Sequence, residues 1–243
     1  MMTEADAVVW VADGLAAEGL DYGDRLVERL TGQGLRVLRR DLTTATTNDV
    51  PSGRLHVLSG GSTSVNDRSG WMAGGLAVTR SLIEAAQREE HAVVGVCLGS
   101  QMIAEALWPG RGSVRSARRI EVGLTEIRWR EDERSEDGEQ LVVPAFHYEE
   151  LDPVPLLEGN AQVIADNGHS PVQGYRYGPR ILGLQFHPEF GPADVRRIVL
   201  HHRRTIETYH GDFRAALDSV DRYESSWSTA LFDRLVHRVL QHG

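Results

Sequence analysis

Apolar residues in the first half of this chain fall into two alternating patterns, short continuous runs and helically spaced sets. Residues 7–12 (AVVWVA) form a run that stops at Asp13-Gly14, which predicts a buried strand. Residues 21–33 place Leu26, Val27 and Leu30 at helical spacing, and Gly34 supplies a helix stop. Residues 35–39 (LRVLR) predict a second strand, and 55–58 (LHVL) a third that runs into Ser59-Gly60-Gly61. A long helical pattern covers 71–89, residues 92–96 (AVVGV) predict another buried strand, and 100–107 a helix. Strands alternating with helices predict βαβ units and a parallel sheet.

The pattern then changes. Residues 121–130, 140–147, 161–165, 172–176 and 181–186 predict successive strands without helices between them, an additional antiparallel region. The charged run 131–140 (EDERSEDGEQ) reads as a solvated hairpin tip. Residues 192–209 are helical in pattern, with Pro192 near the first turn, and 226–240 carry another amphipathic pattern. No internal repeat, Gly/Ser linker or domain break is visible. The expectation is a single α/β domain over 1–243. Its mostly parallel central sheet is flanked by helices, and the 210s hinge into a C-terminal helical extension, about 210–243.

Composition narrows the setting. With 25% charged and 41% apolar residues, the 243-residue chain has the make-up of a soluble globular protein. A net charge of −9 argues against broad binding to nucleic acid or anionic membrane, both of which rely on excess Lys and Arg. The single cysteine forms no internal disulfide, so a reducing, cytoplasmic setting is expected. The stretch MMTEADAVVWVADG lacks the basic start and long apolar core of a signal peptide, and no run approaches 18 apolar residues.

That cysteine has unusual neighbours. Gly95-Val96-Cys97-Leu98-Gly99 matches G-x-C-x-G, the cysteine form of the nucleophile elbow. On a tight strand-to-helix turn the two glycines remove side chains that would collide, and the sulfur emerges at the carboxyl end of the sheet, where ligands bind in open α/β folds. The N-terminal N–H groups and dipole of the next helix favour thiolate. A buried core cysteine is the competing reading of these five residues. Gln101, four residues on, adds a polar amide on the same helix face.

A thiolate needs a base and an orienter. In Gly183-Leu-Gln-Phe-His187-Pro188-Glu189 the proline favours extended geometry, in which residues i and i+2 point the same way. His187 and Glu189 can then lie side by side, the carboxylate holding one ring nitrogen and the other facing sulfur. Alone, the segment reads equally as a surface histidine beside a charge.

Together, GVCLGSQ and QFHPE resemble the class I glutamine amidotransferase family, over about residues 55–189. The resemblance implies a flavodoxin-like fold and a triad of Cys97 as nucleophile, His187 as general base and acid, and Glu189 as orienter. It also implies a glycine loop at Leu58-Ser-Gly-Gly, where Gly60 or Gly61 would join the N–H of Leu98 in an oxyanion hole. Here Ser62-Thr63-Ser64 follows, where the commonest family form has proline. Phe146-His147-Tyr148-Glu149 occupies the place of a Ser-His-x-Asp-like segment, so His147 and Tyr148 are candidates for lining the pocket with Gln101, which would hold the amino-acid end of the substrate.

The implied reaction is hydrolysis of the γ-carboxamide of glutamine, or a related γ-glutamyl amide, through a thioester on Cys97. No G-x-x-x-x-G-K-[ST] loop for ATP phosphates is present, and no cofactor is expected. Three readings stay open: a glutaminase subunit feeding ammonia to a separate synthetase chain, a free-standing γ-glutamyl hydrolase, or a non-catalytic binding or regulatory protein. Other elbow-cysteine families place their acidic partner early in the chain, where Glu18 would be the candidate, and lack the HPE segment. His201-His202 are adjacent rather than four apart, so no metal site is expected, and with His210 they read as solvated helix positions.

Overall fold

The computed structural model describes residues 5–14, 21–130 and 138–241. Glu18 and most of the charged run at 131–140 lie outside the described residues. The first strands and helices are β1 (Ala5–Val11), α1 (Tyr22–Gly32), β2 (Val37–Asp41), β3 (Gly53–Leu58), α2 (Met72–Gln87), β4 (Ala92–Val96) and α3 (Leu98–Leu107). Then come β5 (Val114–Trp129), β6 (Glu139–Leu151), α4 (Pro153–Glu158), β7 (Gln162–Asp166), β8 (Gly174–Tyr177) and β9 (Ile181–Leu184). The chain closes with α5 (Pro192–His201), α6 (Arg203–Thr208), α7 (Phe213–Tyr223) and α8 (Ala230–Gln241). No helix among the described residues is long and apolar enough to cross a membrane.

All nine strands form one sheet in the order β2-β1-β3-β4-β9-β8-β7-β5-β6. Pairing is parallel from β2 to β9 and antiparallel from β9 to β6. This is the α/β fold of the sequence expectation, a parallel core with an antiparallel flank and C-terminal helices. Alternation along β1 explains the layering. Val8 and Trp10 face a core shared with Met72, Leu82, Met102 and Ile103 of α2 and α3. Ala7, Val9 and Val11 face the opposite core, with Leu26 and Leu30 of α1 and Leu231, Phe232, Leu235, Val236 and Val239 of α8. The last helix thus covers one face of the central strands. A third cluster joins Ile120 and Leu124 of β5 to Val195, Ile198, Ile206, Ala216 and Val220 of α5, α6 and α7.

Several boundaries differ from the pattern reading. The 210s form α7 rather than a hinge; Asp212 caps it by accepting from Ala215 N–H at 3.0 Å, and Ala216 and Val220 are its buried stripe. The helix expected over 192–209 breaks at His202, whose ring packs against Phe146 at a centroid distance of 5.0 Å. Strand β5 begins seven residues before the expected 121, because Val114, Arg115 and Ser116 pair with Leu151, Glu150 and Glu149 ahead of a register shift. Arg115 there salt-bridges Glu150 and Asp152, so charge rather than apolar alternation accompanies the pairing. Short α4 had no periodic signal; Asp152 caps it and Pro153 opens it.

Candidate active site

Strands β4 and β9 lie side by side in parallel, with Val96 opposite Leu184, and the Cys97 N–H donates to the Leu184 carbonyl at 2.7 Å. Cys97 and the segment leading to His187 therefore leave the sheet at the same edge. Cys97 sits at the N-terminus of α3 with φ 49° and ψ −108°, a left-handed backbone that costs a non-glycine residue about 1–3 kcal/mol. The two elbow glycines make that turn sterically feasible. A Cβ on Gly95 would stand 2.5 Å from the Gly99 carbonyl, and one on Gly99 would stand 2.3 Å from the Leu58 carbonyl oxygen. In the first turn of α3 the Gly99 N–H donates to the Ser59 carbonyl at 3.0 Å, and the Ser100 and Gln101 N–H groups donate to the Cys97 carbonyl at 3.0 and 3.1 Å.

The Cys97 sulfur lies 3.9 Å from the Gln185 amide nitrogen and 4.0 Å from the Phe146 carbonyl oxygen. His187 and Glu189 are fully buried, and His187 Nδ1 lies 2.7 Å from Glu189 Oε1. Burial on its own would push the imidazole pKa down. The Glu189 charge and then Cys97 act against it, and the net effect is a raised pKa. Cys97 contributes by charge and by side-chain hydrogen bonding, although among the described residues Nε2 has no partner in strict hydrogen-bond alignment. A histidine so placed between a carboxylate and a thiol favours the imidazolium. Tyr22 stacks on the His187 ring at 5.1 Å and Phe190 at 4.8 Å, which fixes the ring plane.

The glycine loop after β3 closes against both halves. A Cβ on Gly60 would stand 2.7 Å from His187 Cε1, and one on Gly61 2.5 Å from Leu98 Cδ2. Ser62 and Thr63 hydroxyls donate to Asp13 at 2.8 and 2.5 Å, so the loop that lacks proline is tied to the end of β1 instead.

A pocket opens at Cys97, lined by Tyr22, Gly61, Ser62, Thr63, Leu98, Gln101, Phe146, His147, Tyr148, Glu149, His202 and Thr205. Gln101 is nearly buried and donates to the Glu149 carbonyl and to Gln185 Oε1, each at 3.4 Å. The Tyr148 hydroxyl donates to the Ser62 carbonyl at 3.1 Å, and its ring stacks on Tyr209 at 4.3 Å. Burial, with Tyr209 and Glu149 nearby, pushes that phenol up to about 12, so it is a donor throughout the physiological range. Gly60 lies behind the lining, against His187. Among the described residues, no group of three or more His, Cys, Asp or Glu is placed to hold a metal ion.

Sequence reasoning passed over three contributors. Gln185 stands two residues before His187, where the alternation of an extended segment gives it the same direction. Tyr22 opens α1 and carries no motif. His202, read as a solvated position, is half-buried against Phe146 and lines the pocket; His201 and His210 are exposed. His210 stands in the turn after α6 rather than in a helix.

Comparison with known proteins decides the family. The model of the glutamine amidotransferase class-I family matches residues 20–202. The chain belongs to the class I glutamine amidotransferase family. A glutamine amidotransferase-like protein of Salmonella typhimurium, YfeJ, is 32% identical over 135 residues, 54% of this chain and 54% of that protein. A glutamine-hydrolysing GMP synthase of Bdellovibrio bacteriovorus is 31% identical over 102 residues, 42% of this chain and 19% of that one. The match thus spans about half the length of YfeJ and about a fifth of the synthase. Among solved structures, a glutamine amidotransferase of Thermotoga maritima superposes with a TM-score of 0.72 at 24% identity, covering 97% of this chain and 98% of that one. One of Methylobacillus flagellatus gives 0.68 at 22%, over 97% and 92%. At these identities the structures show the amidotransferase fold.

Proposed function

We propose that this amidotransferase hydrolyses the γ-carboxamide of glutamine or of a related γ-glutamyl amide through a thioester on Cys97. The observation that carries this reading is the strained Cys97 at the α3 N-terminus, beside an imidazole whose far nitrogen is held by a buried carboxylate. The Cys97 thiolate attacks the amide carbon, forming an S–C bond. The oxyanion that develops is met by the Leu98 N–H and one from Gly60 or Gly61. The His187 imidazolium protonates the leaving nitrogen as the C–N bond breaks, releasing ammonia or an amine. His187, now neutral, takes a proton from water, whose oxygen adds to the thioester carbon; the C–S bond then breaks, glutamate leaves, and the thiolate and imidazolium are restored. Glu189 orients the ring and stabilises its charged form. Gln101, His147 and Tyr148 hold the amino-acid end.

A second reading, delivery of the ammonia to a separate synthetase chain, is supported by the likeness to a glutamine-hydrolysing GMP synthase. One assay separates the readings. The purified protein is given glutamine and several γ-glutamyl amides, and the Cys97→Ala variant is tested for binding. Release from γ-glutamyl amides by the isolated chain supports the free-standing hydrolase. Slow glutaminase that rises on adding a synthetase supports the subunit. Full activity in Cys97→Ala refutes the nucleophile assignment.

A further inference from the structure

Behind the pocket wall, Glu121 of β5 is 5% exposed, and among the described residues none of its hydrogen-bond or ion-pair partners is an arginine or lysine. It faces His147 directly across the β5–β6 pair. Asn167 donates to its Oε1 at 2.6 Å, and Ser170 and Gln173 donate to its Oε2 at 3.1 and 2.7 Å. His147 Nε2 lies 3.2 Å from the same Oε2, at ion-pair distance though off hydrogen-bond alignment. Burial would push the Glu121 carboxyl up, but His147, His169 and Asn167 hold it well below the usual carboxylate range. Interring a carboxylate is costly, and an apolar side chain of similar size is commonly as good for stability alone.

The arrangement leads into the pocket. The His147 ring is strung between two acceptors: Nε2 faces Glu121, and Nδ1 donates to the Glu149 carbonyl at 3.0 Å. That carbonyl also receives the Gln101 amide, and Glu149 Oε1 receives the Ser64 hydroxyl at 2.7 Å. One carboxylate thus sets the ring that sets the main chain of Phe146–Glu149, the wall that stands opposite Gln101 and touches the Cys97 sulfur. The Glu121 side chain is absent from the pocket lining, so its influence passes through His147.

We propose that Glu121 is a positioning residue for recognition of the amino-acid end of the substrate, acting through His147 on the 146–149 wall. The inference rests on the hydrolytic reading above and concerns KM rather than the chemical step. His187 and Glu189 follow β9, and neither is among the hydrogen-bond or ion-pair partners of Glu121 within the described residues.

The test compares wild type with Glu121→Gln, Glu121→Asp and Ser170→Ala. It uses steady-state hydrolysis of γ-glutamyl substrates and the rate of Cys97 alkylation by iodoacetamide, a probe without an amino-acid end. Glu121→Gln is expected to raise KM about tenfold or more while kcat and alkylation stay within about threefold, the signature of lost ground-state binding. Glu121→Asp, which keeps the charge, recovers part of the loss. Ser170→Ala, which removes one donor, raises KM by about two- to fivefold and decides the matter should Glu121→Gln not fold. Unchanged KM in folded variants overturns the inference and leaves the hydrolase standing. Parallel falls in kcat and alkylation also overturn it, since they mark general disruption. A wild-type protein inert toward every γ-glutamyl substrate overturns both.

Discussion

Glu189 holds Nδ1 of His187 at 2.7 Å while both side chains are buried, so the proton on that nitrogen has the Glu189 carboxylate as its acceptor. The second carboxylate oxygen of Glu189 has no hydrogen-bond partner among the described residues, which concentrates the interaction on the ring. Replacing Glu189 by Gln keeps the shape and removes the charge that favours imidazolium. Turnover is expected to fall by about 10²–10⁴, with KM changed much less. Steady-state kinetics check this, and an unchanged kcat removes Glu189 from the mechanism.

The elbow glycines differ sharply from a glycine elsewhere. A methyl on Gly99 meets the β3 backbone, which cannot yield without moving the sheet. Gly99→Ala is therefore expected to destabilise by roughly 2 kcal/mol or more and to displace Cys97. At Gly74 in α2 the nearest atom to an added Cβ is 4.0 Å away, so Gly74→Ala is expected to stabilise by about 0.5–1 kcal/mol. Thermal unfolding of the two variants would show shifts of opposite sign; two shifts of the same sign would contradict the packing account.

Acid is expected to weaken the fold through a histidine pair far from the pocket. Burial, and then the neighbouring His91, lower the His56 pKa from 6.5 to about 3, and burial lowers His91 as well. The rings lie 4.2 Å apart, and His56 Nδ1 accepts from Trp10 Nε1 at 3.0 Å. Since the folded values lie below the unfolded one, these groups contribute stability that is complete above pH 6.5 and is lost as pH falls toward 3. The slope is at most about 1.4 kcal/mol per pH unit for each ring. His187, whose folded value is raised, has the opposite sign and keeps its contribution below pH 6.5. His56→Asn, which retains an acceptor for Trp10, should flatten the dependence between pH 7.5 and 5 in urea unfolding. An unaltered slope would assign the acid lability elsewhere.

Helix α8 is expected to be a structural part of the sheet's cover. Leu235 is 4% exposed within the core shared with β1, β3 and β4. Leu235→Ala should cost about 2–5 kcal/mol. Denaturant midpoints measure this, and a loss under about 0.5 kcal/mol would make α8 an appendage.

How far the sequence could be read depended on what kind of force acted at each place. The parallel half was legible because Ala7–Val11 of β1, Leu55–Leu58 of β3 and all of β4 are buried, and these stretches are apolar but for His56. The segments carrying Cys97 and His187 were legible because a tight turn and a proline demand particular residue types. The start of β5 was hidden because Val114–Ile120 is held by salt bridges and a bulge rather than by alternation. The α7 stripe was present in the residues, yet Gly211-Asp212 punctuates it like a hinge when only the cap geometry shows it to be a helix start. Glu121 was illegible as a site residue, since its four partners come from distant segments and none is marked by spacing.

Because the Cys97 N–H bonds the Leu184 carbonyl directly, the 89 residues that separate Cys97 from His187 form a loop closed at its root. The spacing of sulfur and imidazole is set where the loop begins and ends, whatever the length of chain within it. Changes at the far ends of the antiparallel strands inside that loop are expected to reshape what enters the pocket while the sulfur and the imidazole keep their places.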